Sequence, residues 1–258
     1  VLEMCKAVVA GLFMGVGATL AGGCNVGGFY NAIGNLSAHG FAMWLGLVFG
    51  VIIGLKYIYW EMEHVSWGSG GAKTIEFPKG LNGLLGVVAI VALIAGAYMY
   101  AGNEDSDYMA SLSGILLIAA ALGYCMQRGR WCMIQGFREP HMTGNCTMAK
   151  SVALSIFIVA LGAVVLKYGV PVRLDGDPVL GPMNYVRGTF GWGGVVGGIV
   201  FGFGAMLAGG CGTGTLWRVG EGQIKLWIVV PIFAITNSII SAWFTDREFE
   251  ADGVLGSY

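Results

Sequence analysis

Five apolar runs decide what this chain can become. Residues 41–59, 81–101, 109–127, 151–168 and 224–244 are each near the length that crosses a bilayer as a helix. The hydrocarbon interior holds no water, so every backbone N–H and C=O there must be paired within the protein, and a helix does this locally. Charged residues make up 11% of the 258, against about 25% in soluble domains, and 56% are hydrophobic. The expectation is an all-α polytopic membrane protein with one transmembrane domain over residues 1–258. A net charge of −1 with no basic tail or patch argues against nucleic acid as a partner. Polar breaks fall at 61–80, 102–108, 128–150, 169–190 and 245–258. Residues 1–21 lack the charged start and cleavage pattern of a signal peptide.

Two further runs, 7–21 and 193–208, are shorter and full of glycine, and each ends in the same way. The first closes on Ala21-Gly22-Gly23-Cys24-Asn25-Val26-Gly27 and the second on Ala208-Gly209-Gly210-Cys211-Gly212-Thr213-Gly214. A shift of 187 residues superposes Gly15, Gly17, Ala18 and Leu20 on Gly202, Gly204, Ala205 and Leu207, and carries the identity through the cysteine to Gly27 and Gly214. Paired, glycine-interrupted segments in two halves are the best sequence pointer to a transporter site. The halves suggested are about 1–101 and 109–245, built from full transmembrane helices plus short, partly penetrating broken ones. Whether the repeat is parallel or inverted is open at this level. The bland reading of most of the 45 glycines is helix packing through small-xxx-small contacts.

A helix that stops inside the membrane is tolerated only against protein or a polar cavity. If new helices begin near Asn25 and Thr213, their first N–H groups face the break with the positive end of the dipole behind them, which suits an anion. Each break also offers a thiol. A thiolate about 4 Å from each charge of a dianion would cost about 4 kcal/mol per charge pair at an effective dielectric near 20, so these thiols are expected as neutral S–H donors. A third candidate is "MQRGRWCMIQGFREP", 126–140, which sets Arg128, Arg130 and Cys132 around another break; its plain alternative is a cytoplasmic loop with a structural cysteine.

The arginines and Lys150 of 128–150 place that segment on the cytoplasmic side, and acidic "GNEDSD" places 102–108 outside. Cys132, His141 and Cys146 do not match a familiar zinc spacing, the three histidines sit at or beyond segment ends, and no metal or cofactor is expected. Cys5 and Cys125 read as small hydrophobes, Lys56 as a snorkelling side chain, and Pro231 as a kink within 224–244. Arg218 and Glu221 are placed to pair, bracing or gating the segment after Cys211. No acidic residue stands mid-run to suggest a proton relay; Glu139 and Glu221 are the nearest.

Three stretches together, "MQRGRWCMIQGFRE", "LAGGCGTGTLWRVGEG" and "GVGATLAGGCNVGG", resemble motifs of the YeeE/YedE family of membrane proteins, whose characterised members take up thiosulfate. The resemblance implies that Cys132, Cys211 and Cys24 line a narrow pathway between pseudo-symmetric inverted halves in a prokaryotic inner membrane. With the breaks read above, the expected substrate path adds Gly22, Gly23, Asn25, Gly27, Gly209, Gly210, Gly212, Thr213, Gly214 and Arg130 to these thiols. The motif order departs from the family's usual one: the Cys24-like motif leads here, as in a permuted chain, with a helix expected before it in an upstream segment or another subunit. The function expected is a permease, not an enzyme, for thiosulfate or a related sulfur anion. Its alternatives are a persulfide relay to a cytoplasmic sulfur-carrier protein and a structural membrane subunit of a larger complex.

Overall fold

A computed structural model of the chain describes residues 2–64, 79–101, 107–165, 173–174, 177–178 and 191–246. The expectation for 102–108 falls mostly on residues outside this set. The five long runs are helices: α3 (Ala38–His64), α4 (Lys79–Ala101), α5 (Asp107–Arg128), α7 (Thr147–Val164) and α10 (Ile224–Asp246, with Pro231 inside it). The glycine-rich runs are α1 (Leu2–Leu20) and α8 (Trp192–Ala208). Short helices follow the breaks: a wide, π-type turn over Asn25–Asn31 leading into α2 (Ala32–Gly34), then α6 (Met133–Met142) and α9 (Gly212–Gly220). Seven helical stretches among the described residues are long and apolar enough to cross a membrane. The chain is an all-α polytopic membrane protein; a two-residue antiparallel pairing of β1 (Arg173–Leu174) with β2 (Asp177–Pro178) is the only ladder among the described residues.

The first helix is longer than its apolar run. Glu3 and Lys6 cut the run short in sequence, but both are neutralised in the fold. Lys6 pairs with Glu61 of α3 and lies 3.5 Å from Glu3, whose other oxygen is 2.9 Å from Lys225 of α10. Glu61, read from sequence as part of a polar break, is 6% exposed at the end of α3. A buried carboxylate survives at such a depth only when paired.

Packing divides the chain at His64/Val65 and Arg130/Trp131 into two units. The smaller contains α4 and α5, with Gly96 facing Leu116. The larger holds Cys24, Cys132 and Cys211. Its centre is a row of four helices whose glycines let backbones touch. α1 and α8 cross antiparallel: a Cβ on Gly17 would lie 2.4 Å from Phe201 N and 2.8 Å from Gly197 O, and one on Gly204 would lie 2.8 Å from Met14 N and 3.1 Å from Ala10 O. α1 runs parallel to α10, with Gly11 against Ile232 and Gly15 against Thr236. α8 runs parallel to α3, with Gly198 against Met43 and Gly46, and Gly202 against Leu47 and Gly50. Large apolar side chains such as Phe49, Ile53, Ile235 and Ile239 stay exposed on the outer faces, where the partner is lipid.

Candidate functional site

The two duplicated breaks close their helices with matching bonds. In the first, Gly22 is left-handed at φ 66°, Gly22 N donates to Thr19 O at 3.2 Å and Gly23 N to Ala18 O at 2.8 Å. In the second, Gly209 is left-handed at φ 86°, Gly209 N donates to Met206 O at 3.2 Å and Gly210 N to Ala205 O at 3.0 Å. This is a glycine closure of the helix end, which only a residue without Cβ adopts cheaply. Each cysteine then takes nearly the same extended conformation, φ −70° and ψ 175° at Cys24 against φ −75° and ψ 175° at Cys211. Its carbonyl accepts the first bond of the next helix at 2.7 Å, from Gly28 N or Thr215 N. Cys132 does the same for α6, accepting from Gly136 N at 3.3 Å. All three thiols are thus on the residue that starts a helical segment.

Breaking a helix leaves its last carbonyls without partners, and in a membrane they must be met from elsewhere. Side chains from other turns of the chain do this. His39 of α3 donates Nε2–H to Ala21 O at 2.7 Å. Lys225 of α10 donates to Leu207 O at 3.1 Å, and Arg218 of α9 folds back to donate to Gly209 O. The guanidinium of Arg218 also lies 5.0 Å from the centre of the Trp217 ring. Arg218 takes part in no ion pair among the described residues; its bracing contact is with the break rather than with the Glu221 carboxylate. Glu221 is exposed just past α9.

The third thiol joins the second break. Trp217 Nε1 donates to Trp131 O at 3.1 Å, and Trp131 meets Tyr30 edge-on at 5.7 Å. These contacts seat Cys132 so that its Sγ is 3.6 Å from Cys211 Sγ. Both are free and buried, 1% and 0% exposed. Gly214 makes the space: a Cβ there would sit 2.8 Å from Cys132 Sγ and 3.4 Å from Cys211 Sγ. Cys211 Sγ accepts from Gly214 N at 3.3 Å and is 3.6 Å from Thr213 Oγ1. Cys24 is half-buried and faces Gly212, whose Cβ position is 3.7 Å from Cys24 Cβ and 4.0 Å from its Sγ. Asn25 completes the cluster. It is 0% exposed, and neither Oδ1 nor Nδ2 has a hydrogen-bond partner.

Other residues expected on the path have different surroundings. Gly27 is exposed, and a Cβ there would meet nothing within 4 Å. Its neighbour Gly28, which the repeat did not mark, is the tight one, with a Cβ position 2.5 Å from Met43 Sδ. Gly210 packs under Arg218, at 3.1 Å from Cβ position to Nη1. Arg128 ends α5, and Arg130 follows with φ 47°; both are exposed and belong to the smaller unit. Among the described residues no His, Cys, Asp and Glu cluster of three could hold a metal. A cavity of about 490 Å³ opens beside Met133, lined by Phe29, Trp44, Phe137, His141 and Ile156 among others. Its lining is almost wholly apolar, which does not suit an anion.

The profile of the sulphur transport family matches residues 2–53 and 128–252. The probable transporter YedE of Escherichia coli (strain K12) is 28% identical over 255 residues, which is 95% of this chain and 58% of that protein. One continuous alignment covers that span, so the order of segments here is shared with that relative. The thiosulfate transporter TsuA of the same organism is 37% identical over 130 residues, 50% of this chain and 34% of that protein. TsuA of Spirochaeta thermophila is 33% identical over 134 residues, again 50% of this chain, and 37% of its own length. The chain therefore spans little more than half of these relatives at most. With more than half of its own residues inside the profile, it belongs to the sulphur transport family.

Proposed function

We propose that this chain forms the conducting part of a permease for thiosulfate or a related small sulfur anion, with the thiols of Cys24, Cys132 and Cys211 along the path. The observation that carries the reading is Asn25, a fully buried carboxamide with both polar atoms unpartnered beside a thiol pair. An unmet buried polar group costs about 1–3 kcal/mol, so the position invites an anion that accepts from Nδ2–H, while Oδ1 can only take a proton donor such as a thiol S–H. The starts of α6 and α9 add the positive ends of two helices at Cys132 and Cys211. Thiosulfate fits both chemistries, offering oxygens to the amide N–H groups and a terminal sulfur to the S–H donors. The printed name of the relative TsuA supports that anion. Burial of Cys132 and Cys211 favours a small anion over a carrier protein's persulfide, which would need an exposed thiol.

The two halves are read as inverted repeats. The contacts support this: Gly17 on α1 meets Gly197 and Phe201 on α8, and the residues one shift of 187 away, Gly204 against Ala10 and Met14, meet in return. Such reciprocity is what a two-fold axis produces, and antiparallel partners place that axis in the membrane plane. The basic segment 128–150 is assigned to the cytoplasm of a prokaryotic inner membrane and 102–108 to the outside. The test is uptake by reconstituted vesicles, screening thiosulfate against sulfate, sulfite and sulfide. Thiosulfate uptake is expected, and Cys211→Ala should abolish it while the protein still inserts. Normal uptake by that variant would sink the thiol path.

A further inference from the structure

The geometry points to Cys132 and Cys211 as an oxidisable pair: a peroxide-class oxidant joins them in a disulfide that closes the path. Their Sγ atoms stand 3.6 Å apart, non-bonded, with nothing between them, and Cys132 S–H is directed at Cys211 Sγ. Glycine at 214 leaves the sulfurs free to approach. Forming the bond needs a contraction of about 1.5 Å, which the side chains of two residues at helix starts can absorb. The remaining cysteines lack this arrangement. Cys5 and Cys125 are exposed, and Cys146, at the start of α7, is half-buried with no thiol beside it among the described contacts.

The chemistry balances. Cys211 Sγ attacks one oxygen of hydrogen peroxide, the O–O bond breaks, and the thiol proton leaves with the other oxygen as water, giving a sulfenic acid. Cys132 Sγ then attacks that sulfur; the S–S bond forms, the S–O bond breaks, and hydroxide leaves as a second water with the Cys132 proton. Two thiols lose two electrons in all, and one peroxide becomes two waters. Peroxide is smaller than the anion assigned to the path, so burial does not bar it. The disulfide removes both S–H donors and bridges the path between Cys132 and Cys211, so conduction stops until a dithiol reduces the bond.

The closing effect rests on the transport reading; the disulfide does not. The experiment uses the full chain with Cys5→Ser, Cys125→Ser and Cys146→Ser, treated with hydrogen peroxide in vesicles and analysed by non-reducing mass spectrometry. A peptide containing Cys132 should be found joined to one containing Cys211, lighter by two hydrogens. The same link should form with Cys24→Ala added and be absent with Cys132→Ala. Thiosulfate uptake should be lost on treatment and return with dithiothreitol. The proposal is overturned if peroxide leaves Cys211 singly oxidised without the link, or if the link forms and uptake continues. If untreated vesicles take up no thiosulfate, the transport reading fails, and the mass spectrum alone decides the pair.

Discussion

Replacing Asn25 by leucine should make the protein more stable and stop transport. Asn25 is 0% exposed, and both polar atoms of its carboxamide are unpartnered. Leaving such a group unmet costs about 1–3 kcal/mol. Leucine has the same branching and removes that cost, and its fully buried side chain contributes apolar burial of about 1.5–3 kcal/mol. Its two methyl groups are bulkier than the carboxamide, and the overpacking takes back about 1–3 kcal/mol. The net expectation is a gain of about 2 kcal/mol, or about 4–8 °C in Tm at roughly 2–4 °C per kcal/mol for a chain of this size. Thermal unfolding of the purified protein measures the gain, and vesicle uptake measures the loss. Natural proteins keep an unfavourable residue of this kind where function needs it. A fall in Tm of similar size would mean that the fold itself satisfies the amide, and the argument for an anion at Asn25 would collapse.

Two other substitutions read different parts of the same design. Gly214→Ala places a Cβ 2.8 Å from Cys132 Sγ, so it should abolish uptake and the peroxide link together, whereas Gly162→Ala on α7, with nothing within 4 Å, should only add about 0.5–1 kcal/mol of helix stability in the same unfolding assay. Glu61→Gln removes the carboxylate that Lys6 pairs with across the two helices and should cost about 3 kcal/mol, the lower end of the range for breaking a buried pair; adding Lys6→Met should recover most of it, and a double variant as unstable as the single one would count against the pairing.

The parts of this protein that can be read from sequence are those set by neighbours in the chain. Apolar length predicted α3, α4, α5, α7 and α10, and a Gly-Gly-Cys after an apolar run predicted where α1 and α8 stop. The duplicated motif recurs with matching helix-closing bonds, from Gly23 N to Ala18 O and from Gly210 N to Ala205 O. The limit shows at Gly27 and Gly28. Repetition marked Gly27, yet the close approach falls one residue later, because Met43 of another helix decides which glycine is crowded. Charge misled in the same way at Glu3, Lys6 and Glu61, which look like helix-ending residues until their partners from α1, α3 and α10 are known.

The same distinction explains how two equal breaks become unequal sites. Each helix end needs its carbonyls met, but the fold meets them with different chemistry. The first break is held by the imidazole of His39 from α3. The second is held by the guanidinium of Arg218 and the ammonium of Lys225. Lys225 also pairs with Glu3, so its charge is largely offset, whereas Arg218 has no carboxylate partner among the described ion pairs. A positive charge held at Gly209 and Gly210 acts on the next residue, Cys211, through a medium of lower dielectric than water. The second thiol, Cys132, is also on that side. On the proposed path, an anion would meet its stronger attraction at Cys211 and its weaker one at Cys24, and this asymmetry arises from capping residues that the repeated sequence does not contain.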